Sequence, residues 1–260
     1  MIEAGAAHPY SVSERAAGNE RWVVVAGLAF VAALSLGATL KLGGMLMMPA
    51  ASSGGSVAYW VLLFIMWWTM MMAMMLPSAA PAILTYGAMS RRFAERGASS
   101  APVAVFASGY ATIWTAFSLG AVTLQLLVHD LVPLTGMMAL TSAAAGGSVL
   151  VAAGLYQMTP LKHACLRKCQ SPLMFFARNW RTGWTGALRM GISHGLYCLG
   201  CCWVLMGLLF YGGVMEPRWI AGIAAYIAAE KLIPAKARIA RLAGMMLVLW
   251  GLSTLYVALS

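Results

Sequence analysis

Seven apolar runs divide this chain, at residues 22–40, 57–76, 103–128, 137–158, 190–211, 215–233 and 240–259. Each is close to the ~20 apolar residues that carry a helix across a bilayer. Hydrocarbon offers the backbone no water to bond, so such segments fold as helices that satisfy their own N–H and C=O groups. The runs predict an all-α fold, a polytopic transmembrane helical bundle of about seven spans. Composition supports this at one point: only 9% of residues are charged, against ~25% in a soluble domain.

The basic residues test the count. Two flank the start of the first run (Arg15, Arg21), three follow the second (Arg91, Arg92, Arg96), six follow the fourth (Lys162, Arg167, Lys168, Arg178, Arg181, Arg189) and four follow the sixth (Lys231, Lys236, Arg238, Arg241). The other segments hold only Lys41 and Arg218. This alternation puts the N-terminus in the cytoplasm and the C-terminus outside. It also retains the sixth run as a span, although Arg218 and Glu230 lie near its ends. The net charge of +10 therefore reads as membrane orientation and not as a nucleic-acid surface. Residues 1–21 read as a polar tail, and residues 22–260 as a single transmembrane domain of the inner (plasma) membrane. The first run is too long for the short apolar core of a signal peptide. His129 and Asp130 read as solvated groups closing the third run.

Two segments depart from a plain bundle. Residues 66–81 read M-W-W-T-M-M-M-A-M-M-L-P-S-A-A-P. Pro77 and Pro81 predict a kink and a second half-helix, since proline removes a helical hydrogen bond. Residues 159–189 form the largest cytoplasmic loop, amphipathic in character. There Thr159 is an N-cap and Pro160 a first helical residue, predicting a short helix over 160–170. Leu161, Cys165 and Cys169 stack on one face of it, with His163 on the other side.

The chemistry concentrates in residues 190–206, M-G-I-S-H-G-L-Y-C-L-G-C-C-W-V-L-M. At ~100° per residue, Met190, His194, Cys198, Cys201 and Cys202 occupy a sector of roughly 120°, with Leu196, Leu199 and Trp203 opposite. Thiolates and thioethers are soft ligands that favour Cu(I), with zinc second. The candidate metal ligands are His194, Cys198, Cys201 and Cys202, then Cys165, Cys169 and His163 from the loop. Met70, Met71 and Met74 from the methionine rows and Glu230 complete the set. Bland alternatives stand beside these: buried cysteine and methionine also serve as packing, and Glu230 pairs with Lys162 or Lys231. Gly191 and Gly195 give the small-x-x-x-small pattern of close helix packing. Counting residues inward from the charged flanks puts His194, Glu230 and the methionine row at one level in the cytoplasmic half. That reducing side favours free thiols over disulfides.

Three stretches together, residues 68–81, 156–172 and 191–206 with the later E-K-L-I-P at Glu230, carry a resemblance. The chain resembles the bacterial integral membrane proteins grouped as domain of unknown function 2182, which often show arginine where this chain has Gln170. The resemblance implies a multi-span α-helical protein and a metal site, with no reaction attached. A soft-metal protein of uptake, delivery or homeostasis is the leading expectation. An assembly subunit packing on a protein partner or on its own copy, and a thiol redox enzyme, are the alternatives. No nucleotide-binding, Ser-His-Asp or H-E-x-x-H pattern nominates a further enzyme class.

Overall fold

A computed structural model describes residues 57–128, 135, 138–233 and 237–260, with scattered positions between 26 and 42. Among these residues the regular structure is all-helical, without strands. The helices are α1 (Val57–Glu95), α2 (Val103–Val128), α3 (Ala143–Gln157), α4 (Pro160–Gln170), α5 (Pro172–Asn179), α6 (Gly183–Gly212), α7 (Pro217–Leu232) and α8 (Ala237–Leu259). Among the described residues, four segments are long and apolar enough to cross a membrane: Val57–Glu95, Val103–Leu127, Gly183–Gly212 and Ile239–Leu259. The fourth run is shorter as a helix than its apolar length. Ser142 caps α3 by accepting the Ala145 N–H at 3.3 Å, so residues 138–141 stay outside it. The 16 residues of α7 are also fewer than a full span. Most of the first run, the polar tail and the His129–Asp130 pair lie outside the described residues. The described positions from Ala26 to Leu42 are helical.

The prolines do not break α1. It runs 39 residues through Pro77 and Pro81, and buried positions continue from Leu63 to Ser90. Packing on both halves thus outweighs the two missing N–H groups.

Glycine sets the closest crossing. A Cβ on Gly191 would collide with the Phe106 carbonyl, and one on Gly109 with that of Leu188. One on Gly195 would lie 2.9 Å from the Ile113 side chain. The backbones of α2 and α6 therefore touch, as small residues allow. A second crossing pairs Gly147 and Gly154 of α3 with Gly244 and Gly251 of α8. There a Cβ on Gly154 would lie 2.6 Å from the Gly244 carbonyl.

The α4 helix starts as its sequence predicts. Thr159 caps it by accepting the Lys162 N–H at 3.2 Å, with Pro160 first. The stacked face of Leu161, Cys165 and Cys169 is buried only toward its C-terminal end. Leu161 is exposed, and the buried positions are Lys162, Leu166 and Cys169. The cause is a buried carboxylate: Lys162 turns inward to meet Glu230 of α7 at 2.7 Å.

Candidate metal centre

Helical spacing puts Met190, His194, Cys198, Cys201 and Cys202 on one side of α6, and all five are buried at 2% exposure or less. Leu196 and Trp203, on the other side, are more than half exposed. The glycine crossing brings α2 against this face, so Tyr110 stands over Cys198 with its hydroxyl 3.1 Å from Sγ. From α7, Lys231 Nζ donates to Cys198 Sγ at 3.0 Å and to Ser78 Oγ at 2.9 Å. Ser78 in turn donates to the Met75 carbonyl at 2.9 Å, which also accepts from Tyr110 at 3.2 Å. The Met75 thioether lies 4.0 Å from Cys202 Sγ. Cys198 is thus the meeting point of α1, α2, α6 and α7.

The short helix adds sulfur from a further direction. The Cys169 thiol faces Cys198 and Cys201, and these neighbours, followed by burial, hold it well above the ordinary cysteine range. Cys165 is half-buried against Gly200, where a Cβ would lie 2.8 Å from its Sγ. Burial, then Cys201, pushes the Cys165 thiol up as well. All five cysteines are free.

His194 is ringed by Phe175 at 5.5 Å and by Phe106 and Tyr110 at 6.1 Å. Its Nδ1 is buried without a hydrogen-bond partner, a rare condition that calls for an explanation. An open coordination position is one. His163 lies two residues before Cys165 on α4. Burial, then the charges of Arg241 and Lys162, pushes its imidazole down, and its Nε2 also lacks a partner. Met70, Met71 and Met74 are buried in the core along α1.

Glu230 is engaged on both oxygens. Lys162 donates to them at 2.7 and 3.0 Å, and Tyr226 donates to Oε1 at 2.6 Å. Lys162 also donates to the Gln157 side chain, while Gln170 donates to the Glu230 backbone carbonyl at 2.7 Å. The carboxylate therefore ties α4 to α7.

Among the described residues, no three His, Cys, Asp or Glu side chains already stand in a metal-holding arrangement. The reason is local. Cys201 and Cys202 turn their thiols back onto the Cys198 carbonyl, at 3.0 Å each, and Cys198 is held by Lys231 and Tyr110. The donors nonetheless suit a soft cation: thiols, a thioether and an unpartnered imidazole are the ligand types that select Cu(I).

Four members of the centre were not candidate residues from sequence: Met75, Ser78, Tyr110 and Lys231. Lys231 had a signal. Ile220, Ile223 and Ile227 form a buried stripe on α7, and its spacing continues to Glu230 and Lys231. Met75 lies four residues beyond Met71 in the neighbouring methionine row, where thioether chemistry alone does not separate one methionine from another.

A family model described as PpoB2, copper chaperone, matches residues 64–254. All three resemblance-bearing stretches lie inside that match. Comparison with curated proteins and with solved structures gives no match.

Proposed function

The chain belongs to the PpoB2 copper-chaperone family, and from that premise we propose that it is a multi-pass membrane protein that takes Cu(I) at the Cys198 centre and hands it on. Copper is cargo here. Cys198 and Cys202, with the Met75 thioether beside them, are its first ligands, and Cys169, Cys201 and the open His194 Nδ1 complete the set. Cys165 on α4 is the entry or exit thiol, with His163 near it, and Met70, Met71 and Met74 extend the thioether path along α1. Glu230 braces α4 and does not ligate. Zinc is the second cargo that this donor set suits.

The observation that carries the proposal is the meeting of sulfur from three helices, Met75 of α1, Cys169 of α4 and Cys198 with Cys202 of α6, in one buried cluster. Neighbouring soft ligands let Cu(I) move by exchange, one sulfur binding as another lets go, without a change of oxidation state. A thiol that takes the metal releases its proton.

The topology belongs to the same proposal: seven spans, N-terminus in, C-terminus out, in the inner membrane, with the centre toward the cytoplasm. The alternation of basic residues supports it. We also take the likeness to domain of unknown function 2182 and the copper-chaperone family to be one lineage.

The test is copper and zinc content of the protein purified in detergent under reducing conditions, beside Cys198→Ser, Cys202→Ser and Met75→Leu. Copper is expected in the wild type, strongly reduced in both serine variants and weakened in the leucine variant. Wild-type protein without copper, or retention indifferent to both serine changes, overturns the proposal.

A further inference from the structure

We propose that Lys231 sets how firmly the centre holds its cargo: its side-chain amine occupies the Cys198 sulfur lone pair that Cu(I) would use, and metal binds by displacing it. This rests on the function proposed above and adds a releasing device to it.

Lys231 is a cation where the fold has little use for one. It sits on an apolar stripe of α7, is 7% exposed, and among the described residues reaches only Ser78 and Cys198 by hydrogen bond. Cys201, Cys202 and Tyr110 lie close enough to feel its charge, so it faces the whole thiol cluster. Its neighbour Glu230 is spent on Lys162 and is not its counter-charge. An ionisable group in an apolar helix, with a thiol as its partner, is a functional group by default.

The geometry makes amine and metal rivals. Nζ stands 3.0 Å from Cys198 Sγ, within the space a metal bound to that sulfur would need. If the ammonium stayed, it and the metal would have to share the Cys198 sulfur within a few ångströms. The ammonium escapes this by swinging away and then gives up its contacts with sulfur and with Ser78. Exchange trades one N–H···S contact for one metal–sulfur bond, any S–H proton leaves to solvent, and no electron is transferred. The displaced amine remains tethered and returns when metal leaves, so a site built from tight soft ligands is biased toward release.

The test uses the full chain in detergent under reducing conditions, titrated with Cu(I) against a chromophoric Cu(I) chelator. Lys231→Leu removes the amine without adding a ligand, and Lys231→Arg keeps the charge. Lys231→Leu is expected to hold Cu(I) about tenfold tighter or more, with Lys231→Arg near wild type. A Lys231→Leu protein that binds equally or more weakly, while wild type loads normally, overturns the inference and leaves the copper function standing. Wild-type protein that takes up no Cu(I) overturns both. A second measurement needs no variant: amine acylation at Lys231, mapped by mass spectrometry, is expected to rise on Cu(I) loading of the wild type. Labelling that is unchanged or falls, in a protein shown to carry copper, overturns displacement.

Discussion

Replacing Lys162 by methionine removes the cation from a pair whose side chains are 0% and 3% exposed. Among the described residues, the Glu230 carboxylate then keeps only the Tyr226 hydroxyl at 2.6 Å, and the Gln157 side-chain carbonyl loses the Lys162 donor. Breaking a buried pair from one side costs ~3–5 kcal/mol, because a charge is left uncompensated. For a chain of this size each kcal/mol moves the midpoint by ~2–4 °C, so the loss is roughly 6–20 °C. The assay is thermal loss of the monodisperse peak of the detergent-solubilised protein in size-exclusion chromatography. The reasoning has a second arm. Lys162→Met with Glu230→Met removes both charges and fills similar volume, which is often close to neutral. The double variant is therefore expected to recover most of the loss, so that the two single losses do not add. A single variant within about 1 kcal/mol of wild type, or a double variant showing the sum of two losses, would refute the claim that this pair ties α4 to α7.

Other outcomes follow from neighbouring contacts. Gly191→Leu drives a side chain into the Phe106 carbonyl and is expected to abolish the monodisperse peak, whereas Gly222→Ala, with nothing within 4 Å, is expected to match wild type. Thr159→Ala removes the cap on Lys162 N–H and is expected to cost ~1 kcal/mol, read as a fall of a few degrees in the same assay. The Cys165 thiol is pushed above its ordinary range by burial. At a given pH it therefore carries less thiolate than a free cysteine, and thiolate is the reactive form. Maleimide labelling at Cys165 is expected to be slow at neutral pH and to keep rising through pH ~9; a free-cysteine rate with an earlier plateau would contradict it.

The sequence reading worked where one periodicity decided the answer. The sector holding His194, Cys198, Cys201 and Cys202 is the buried face of α6 because 3.6-residue spacing and a lipid-sized apolar run leave one way to fold it. The Thr159–Pro160 start of α4 and the Gly191/Gly195 contact were legible for the same reason: each is a local rule with a local outcome. The reading failed where a charge had two meanings. Lys162 and Lys231 counted as loop cations, since lysine near a span's end normally marks the cytoplasmic flank. Both are buried, and no composition rule separates a flanking lysine from one aimed inward. The inward turn of Lys162 was not legible for the same reason, and it leaves Leu161 exposed on α4. Met75 was passed over among neighbouring thioethers because its place opposite Cys202 depends on how α1 docks against α6.

The Lys162–Glu230 pair also explains why α4 stays docked. Lys162 lies in the first turn of α4 and Glu230 in the last turn of α7. Each is at the unfavourable end of its own helix, where the dipole disfavours that sign of charge by ~0.3–1 kcal/mol. Neither charge is well placed alone, and each is well placed only against the other. Docking of α4 therefore relieves two penalties at once, and undocking leaves Glu230 without its cation. Cys169 is seven residues beyond Lys162 on the same buried face, so the pair that fixes Lys162 also fixes the thiol that meets Cys198 and Cys201. Next along α7, Lys231 fixes Cys198 itself. Two consecutive residues thus hold the α4 and α6 sulfurs in register, and a change that frees α4 is expected to reach the thiol centre through Cys169.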